Sequence, residues 1–161
     1  MSFRPDVTVA AIAEQRGRFL LVEERIEGRV VFNQPAGHLE AGETLIEAVV
    51  RETREEAAFC FAPRHLLGIY QWRHPRGTDA TLRFAFSGEV SDFDANRTLG
   101  TLDEGIIATH WLTRAEVAAL GPRLRTPLVL RCIDDYLGGR RLPLAALACL
   151  GPSPPDEAAP P

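Results

Sequence analysis

Residues 44–57 constrain the fold of this chain more than any other segment, because they predict a helix with three acidic side chains on one face. Thr44 and Glu47 have the spacing of a capping box, which starts a helix by satisfying two of its free backbone N–H groups. Glu52, Glu55 and Glu56 follow at positions i, i+3 and i+4, so their carboxylates emerge together. Their repulsion destabilises the helix, and two of them lie in its last turn, where the helix dipole disfavours anions. We therefore expect a compensating cation.

A helical projection places these carboxylates beside the apolar face of the helix. At about 100° per residue, Glu52 aligns with Leu45, Ala48 and Val49. Carboxylates that extend a partly buried stripe require cations, and Mg²⁺ binds one or two carboxylates together with water and phosphate oxygens. A solvated acidic face is the alternative interpretation, and the projection favours the metal site over it.

The other segments predict strands and two more helices. Apolar, β-branched runs at residues 7–13 and 19–24 flank a turn at residues 15–17 and indicate a hairpin. Further strands are predicted at 29–32, 68–73, 80–90 and 106–111, a loop at 34–42, a turn at 74–77, and capped helices at 113–120 and 126–137. This order indicates an α+β fold with a mixed sheet rather than a wound βαβ fold. We expect one domain, residues 1–150, and a disordered Pro- and Ala-rich tail, residues 151–161.

Charge and composition exclude several classes of function. The formal net charge is −4 and no basic run is present, which argues against a protein that binds nucleic-acid polymers. No apolar run is long enough for a membrane span, and the first residues do not have the pattern of a signal peptide, so we expect a soluble cytoplasmic protein and, by default, a monomer. Cys60, Cys132 and Cys149 are far apart, and we expect each to be a small buried apolar residue.

The acidic helix and the loop before it resemble the Nudix box, the pattern G-x5-E-x7-R-E-U-x-E-E-x-G-U in which U is a bulky aliphatic residue. The fixed positions are matched by Gly37, Glu43, Arg51, Glu52, Glu55 and Glu56. Thr53 stands where an aliphatic residue is usual, and its methyl group can still pack. Ala58 replaces the glycine that ends the helix in a left-handed conformation, at an expected cost of about 1 kcal/mol. The resemblance implies the Nudix fold, an α/β/α sandwich with a mixed sheet.

The Nudix resemblance also implies the catalytic chemistry. Glu52, Glu55 and Glu56 would ligate Mg²⁺, with Mn²⁺ as a substitute, and the carbonyl of Gly37 would complete the shell. Arg51 would pair with nearby carboxylates such as Glu43 and hold the helix to the preceding loop. The general base of the family is a box glutamate or a carboxylate on a distant loop, so the candidates are Glu52 and then Glu104 from the Asp103-Glu104 pair. A polar loop is an equal alternative for that pair.

Candidate substrate contacts lie outside the box. Phe32, Tyr70 and Trp72 could stack on a heterocycle, although aromatic residues in strands more often pack in the core. Arg83 could contact phosphate, and the alternative that we favour slightly is a strand residue facing solvent. Gln34, beside the start of the box, is the fifth candidate.

The resemblance extends beyond the box to one group of bacterial Nudix phosphatases. It covers residues 3–9, 33–40, 71–72, 82–84 and 125–129. These enzymes release orthophosphate from nucleoside tri- and diphosphates and act on thiamine-pathway pyrophosphates, including hydroxymethylpyrimidine pyrophosphate and thiamine pyrophosphate. The resemblance therefore implies a hydrolase for small phosphorylated molecules. Two alternatives are a Nudix pyrophosphohydrolase that yields a monophosphate and pyrophosphate, and a Nudix-fold ligand sensor without catalysis.

Overall fold

The computed structural model describes residues 3–75, 79–92 and 102–151. Its strands are β1 (Asp6–Gln15), β2 (Arg18–Ile26), β3 (Arg29–Asn33), β4 (Ala36–His38), β5 (Phe59–Arg73), β6 (Ala80–Asp92) and β7 (Ile106–Thr113). Its α-helices are α1 (Leu45–Ala57), α2 (Arg114–Ala119) and α3 (Leu128–Leu137), with 3₁₀ turns at Gly121–Arg123 and Leu144–Ala146. Within these described ranges, every helix is too short or too polar to cross a membrane.

The strands form a seven-stranded mixed sheet in the order β3-β2-β1-β6-β5, with β4 on β1 and β7 on β2. β1 runs parallel to β6, and the other pairings are antiparallel. The predicted hairpin of β1 and β2 is confirmed. Its turn has positive φ at both Arg16 (52°) and Gly17 (78°), as a two-residue turn between twisted strands requires.

β1 is buried on both faces, and this places helices on both sides of the sheet. Val9 and Ala11 point into a cluster that includes side chains of α1. Ala10 and Ile12 point the opposite way, into a cluster that includes α2 and α3. The predicted α+β fold, an α/β/α sandwich with a mixed sheet, is therefore confirmed.

Two structural details differ from the sequence interpretation, and two predicted segments lie wholly or partly outside the described residues. The predicted loop at 34–42 contains β4, whose three residues pair with β1 through Val9 and Gly37. That strand is too short for an alternating pattern to reveal. Helix α3 begins at Leu128 rather than at Pro127, the predicted first helical residue after a Thr126 cap, and the Thr126 hydroxyl accepts a hydrogen bond from the Leu128 amide at 3.2 Å. Part of the predicted turn at 74–77 and nearly all of the predicted tail lie outside the described residues, which exclude 76–78 and 152–161.

The expectation that all three cysteines are buried is wrong for two of them. Cys132 is buried in α3, whereas Cys60 and Cys149 are exposed. Cys60 lies on β5, an edge strand, at a position that faces outward between the inward-facing neighbours of an alternating strand. Cys149 follows the last 3₁₀ turn, beyond the packed elements.

Helix α1 has the predicted start and an unusual end. The capping box between Thr44 and Glu47 is present, with both reciprocal hydrogen bonds. The helix ends at Ala57, and Ala58 adopts the left-handed conformation (φ 56°, ψ 30°), with its amide donating to the carbonyl of Arg54 at 3.0 Å. The helix end is therefore retained without glycine, at the cost of strain in Ala58.

This strain predicts that Ala58→Gly stabilises the protein. Relief of the left-handed strain raises the free energy of unfolding by about 1–2 kcal/mol. The greater freedom of glycine in the unfolded chain lowers it by about 0.4–1 kcal/mol. We expect the free energy of unfolding, measured with urea, to rise by about 0.5–1 kcal/mol. The matched control is Ala57→Gly at the adjacent helical position, which should lower it by about 1 kcal/mol. Equal effects of the two changes would contradict this account.

Candidate metal and substrate site

The acidic face of α1 is partly buried, as the helical projection predicted. Glu52 and Glu56 are each 8% exposed, and they lie beside the buried Val49 and Thr53. The Thr53 hydroxyl donates to the carbonyl of Val49 at 2.7 Å, which satisfies this polar group in the core. Glu55 lies at the edge of the face and is half-buried. The carboxylates therefore border the core rather than bulk solvent.

Glu52 packs directly against the backbone of β4. A Cβ atom at position 37 would collide with the carboxylate of Glu52, so only glycine leaves space for this side chain in its present position. Burial raises the pKa of Glu52, and the hydrogen bond from Arg51 opposes that rise. This close contact gives a physical reason for the glycine that begins the Nudix pattern.

Arg51 holds the carboxylates and the preceding loop together. Its Nε and Nη2 donate to Glu43 at 3.0 and 2.7 Å, while Nη1 donates to Glu52 at 2.8 Å and to Glu55 at 3.0 Å. A further bond from Nη2 reaches the carbonyl of His38 at 3.1 Å. These bonds lower the pKa of Glu43 and raise that of Arg51. The geometry agrees with the predicted role of Arg51 in fastening α1 to the loop.

A third carboxylate joins Glu52 and Glu55 from the segment before β7. Glu52, Glu55 and Asp103 each offer a carboxylate oxygen, and these oxygens lie within 4.8 Å of one another. The amide of Asp103 donates to the carbonyl of Glu55 at 3.1 Å, which fixes this segment against the end of α1. Asp103 and the predicted Glu104 are both exposed, but Glu104 does not belong to this group of three. We refer to Glu52, Glu55 and Asp103 as the carboxylate group.

Glu56, predicted as a metal ligand, lies beside the carboxylate group but outside it. Its Oε2 accepts a hydrogen bond from the Ala36 amide at 2.8 Å. Burial raises its pKa to about 8, and the nearby charges of Glu24 and Glu52 contribute to the rise. This rise favours the protonated form of Glu56 in the metal-free protein, and a cation bound nearby would favour the charged form.

The carboxylate group fits a hard divalent cation. Three oxygens converge, one of them on a buried side chain whose pKa is raised because its charge lacks solvation. Oxygen ligands of this kind suit Mg²⁺ and Mn²⁺ rather than zinc, which prefers nitrogen and sulfur. Glu52 and Glu55 would hold the cation from α1, and Asp103 would hold it from the facing segment.

A cavity of about 400 Å³ opens beside Glu52 and Glu56. The ring of Trp72 lies 4.2 Å from that of His74, and His74 is hydrogen-bonded to Thr81 at 3.1 Å. The cavity is lined by Asp6, Thr8, Asn33, Ala36, Gly37, His38, Glu40, Glu52, Glu56, Trp72, His74, Thr81, Arg83, Arg125, Thr126 and Leu128. The volume suits a small ligand, and the Trp72–His74 pair offers an aromatic surface for a planar ring.

Two of the five predicted substrate contacts line this cavity, and a third supports one of them. Trp72 and Arg83 are in the lining. The preference for Arg83 as a solvent-facing residue is wrong, because this side chain is 4% exposed. Gln34 is buried behind the cavity, where its Oε1 accepts a long hydrogen bond of 3.4 Å from Arg83 and its Nε2 donates to Val129 at 2.8 Å.

The structure places Phe32 and Tyr70 in the core rather than in the cavity lining. Phe32 packs 5.5 Å from the ring of His110 and below the guanidinium of Arg123. The Tyr70 hydroxyl donates to Asp135 at 2.8 Å, which turns it toward α3. The aromatic character of these residues gave no information about which strand end reaches the cavity. The sequence interpretation also missed Thr8, Asn33 and Arg125 in the lining, although Thr8 interrupts the apolar run at residues 7–13.

Comparisons with known proteins agree with this architecture. The NUDIX domain family model matches residues 2–130. Phosphatase NudJ of Escherichia coli strain K12 is 41% identical over 142 residues, which cover 88% of this chain and 90% of that protein. A solved NUDIX hydrolase from Nitrosomonas europaea is 46% identical, with a TM-score of 0.85 over 91% of this chain and 98% of that one. A MutT NUDIX hydrolase from Burkholderia pseudomallei, at 17% identity, TM-score 0.63 and coverage of 83% of this chain and 98% of that one, shares the fold alone.

A sandwich with an acidic helix against a glycine of the preceding strand defines a protein of the Nudix class. With the family model matching most of its length, the chain belongs to the Nudix family. It is a hydrolase, and enzymes of this family generally use divalent metal ions.

Proposed function

We propose that this Nudix hydrolase is an Mg²⁺-dependent phosphatase for small organic di- and triphosphates. Its products would include orthophosphate released from nucleoside tri- and diphosphates and from thiamine-pathway pyrophosphates such as hydroxymethylpyrimidine pyrophosphate and thiamine pyrophosphate. The resemblance to Phosphatase NudJ over most of both chains supports this choice of reaction. The convergence of the three carboxylates, of which Glu52 also lines the cavity, is the observation that carries the proposal. A monomer in the cytoplasm is the expected setting.

The residues around the cavity have distinct roles in this proposal. Glu52, Glu55 and Asp103 hold the cation, which when bound neutralises charge that develops on the phosphoryl oxygens. Arg51 keeps Glu52 and Glu55 in place. Glu52 is the first candidate for the group that accepts a proton from the attacking water, and Asp103 replaces Glu104 as the second, because its carboxylate lies in the same group. The ring of Trp72 packs against the organic part of the substrate.

The products of the reaction test this proposal. Purified protein with Mg²⁺ is incubated with a nucleoside triphosphate, a nucleoside diphosphate, hydroxymethylpyrimidine pyrophosphate or thiamine pyrophosphate, and orthophosphate is measured with malachite green. Each assay is repeated with added inorganic pyrophosphatase, with EDTA and with the Glu55→Gln variant. We expect orthophosphate without pyrophosphatase, and its loss with EDTA or in the variant.

Other outcomes lead to different conclusions. A signal that requires pyrophosphatase would replace the proposed reaction by that of a nucleotide pyrophosphohydrolase, which yields pyrophosphate. No hydrolysis of any of these substrates, together with binding of a nucleotide in the presence of Mg²⁺, would favour a ligand sensor. Hydrolysis that survives EDTA would contradict the role of the carboxylate group.

Substitution of the adjacent acidic residues Asp103 and Glu104 tests which of the two carboxylates before β7 contributes to activity. We expect Asp103→Asn to lower kcat/KM by about 10²-fold or more, because it removes one charge from the carboxylate group. Glu104→Gln removes the same charge from the neighbouring exposed residue, and we expect a change of less than about twofold. Steady-state phosphate release at saturating Mg²⁺ measures both. The reverse order of effects would show that Glu104 is the functional carboxylate.

A further inference from the structure

Arg83 carries a buried positive charge without a matching carboxylate. Its side chain is 4% exposed, and its lowered pKa reflects that burial. Among the described residues, no carboxylate oxygen forms an ion pair with Arg83, and its Nε has no hydrogen-bond partner. Within the described residues, its one side-chain hydrogen bond to an oxygen is the 3.4 Å contact with Gln34, which is too long to be strong, and the thiol of Cys132 is a further weak acceptor beside it. A guanidinium has five N–H donors, and the donor on Nε is buried with no acceptor.

Such a group is costly for the fold. A buried charge that lacks an ion-pair partner and is only partly hydrogen-bonded destabilises a protein, and replacing it by an apolar side chain of similar volume is often stabilising. A cost of this kind is common where a side chain serves a ligand rather than the fold. Arg83 lines the cavity, so a ligand bound there could supply the missing acceptor.

The strand register places Arg83 one step deeper in the cavity than the aromatic surface. Arg83 pairs with Thr8 on β1 and Tyr70 on β5, and Thr81, two residues earlier on the same face, pairs with Trp72. The Thr8 hydroxyl is also buried without a partner. The deep part of the cavity therefore contains unsatisfied polar groups of two strands.

A second cation and the start of a helix lie at the same cavity. Arg125 is positioned by a salt bridge to the buried Glu24, 2.8 Å from its Nη1, and by a backbone hydrogen bond to Phe32. Helix α3 begins at Leu128, which is itself in the lining, and the N-terminus of a helix favours anions. Glu52 and Glu56 line the same cavity and oppose these positive groups. The cavity thus has an acidic side and a basic side.

We propose that Arg83 and Arg125 form an anion subsite that binds a phosphoryl group of the substrate adjacent to the one at the carboxylate group. This inference rests on the proposed function for the identity of the substrate. A phosphate offers oxygens to both arginines at once, and the planar guanidinium fork matches that geometry better than a lysine would. The subsite explains why a site built on acidic residues accepts the highly charged phosphate chain of a substrate. One phosphoryl group contacts the cation, and the next contacts the arginines. Substrates with two consecutive phosphates are therefore bound more tightly than monophosphates.

Thermal melting in EDTA tests the subsite without turnover, with inorganic pyrophosphate as the probe. We expect pyrophosphate to raise the Tm of the wild-type protein more than sodium chloride of equal ionic strength does. Arg83→Met should melt at a higher temperature than the wild type in anion-free buffer, because a buried unpaired charge is removed. The same change should weaken pyrophosphate binding by about 10- to 100-fold, the usual effect of losing charge-assisted hydrogen bonds. Arg64→Met, at an exposed arginine paired with Glu89, is the matched control and should bind pyrophosphate as the wild type does.

Arg125→Gln provides a second variant, at a partly exposed position from which the glutamine amide can still donate to Glu24. We expect it to fold and to weaken pyrophosphate binding by about tenfold. The inference is overturned if pyrophosphate stabilises the wild type no more than chloride does, or if Arg83→Met melts lower and binds pyrophosphate normally. It is also overturned if Arg125→Gln binds as tightly as the wild type. Hydrolysis with intact pyrophosphate binding in Arg83→Met contradicts the subsite alone, whereas pyrophosphate binding without hydrolysis of any substrate contradicts the proposed function alone.

Discussion

Glu52→Gln is expected to lower kcat by about 10²- to 10³-fold while leaving the protein folded. Glutamine has the shape of glutamate, so the contact with Gly37 is retained, but one of the charges that would hold the cation is lost. Burial raises the pKa of Glu52, which means that its charge destabilises the metal-free protein at neutral pH. The variant should therefore melt no lower than the wild type in EDTA, although its activity with Mg²⁺ is lost.

Phosphate release at saturating Mg²⁺ and thermal melting in EDTA measure these two effects. Glu27→Gln is a suitable control, because it makes the same chemical change at an exposed residue of the turn between β2 and β3. Its activity and Tm should match those of the wild type. If Glu52→Gln retains more than about a tenth of wild-type activity, Glu52 is neither a metal ligand nor the base.

Gly37→Ala is expected to lower activity about 10²-fold through Glu52, with little effect on stability. The added Cβ collides with the carboxylate of Glu52, which is the far end of a flexible side chain and can rotate away. The fold therefore survives, but Glu52 leaves the position that brings it within 4.8 Å of the oxygens of Glu55 and Asp103. A displacement of about 1 Å at a catalytic centre can reduce the rate by about 10²-fold, and we expect a loss of that size in kcat/KM.

A double-mutant cycle separates this mechanism from a general disturbance of β4. In the Glu52→Gln background, Gly37→Ala should reduce activity further by less than about threefold, because the side chain that it displaces no longer contributes. Steady-state phosphate release of the four proteins measures the coupling. Additive losses would mean that Gly37 acts independently of Glu52, for example through its own carbonyl.

The features that the sequence predicted well depend on local interactions. The capping box of Thr44 and Glu47, the hairpin turn at Gly17 and the partly buried acidic face of α1 each follow from residues close together in the chain. Local rules of this kind operate before tertiary packing is known. The family pattern added the fold, because the box occupies a fixed place in it.

The choice between Asp103 and Glu104 depends on contacts that no local rule provides. Both residues are acidic, and the structure selects Asp103 because its amide bonds to the end of α1 through Glu55. Gly105 then adopts a left-handed conformation (φ 97°), and its carbonyl accepts a bond from Arg25 on β2. Two packed elements therefore determine which side chain faces the metal site.

Arg83 was misinterpreted for a related reason. A strand with one solvated face would expose a residue flanked by Leu82 and Phe84, and the sequence interpretation assumed such a face. β6 lies inside the sheet, between β1 and β5, and helices cover both sides, so Arg83 faces a cavity rather than bulk solvent. The position of the strand within the sheet was the missing information.

Titration with Mn²⁺, followed by electron paramagnetic resonance of the free ion, tests most directly whether the carboxylate group is the metal centre of this hydrolase. We expect the wild type to remove Mn²⁺ from solution, and both Glu52→Gln and Asp103→Asn to weaken binding by more than about tenfold, since loss of even a supporting group at a metal site has an effect of that size. Glu104→Gln should bind as the wild type does. Unchanged Mn²⁺ affinity in both Glu52→Gln and Asp103→Asn would contradict the account.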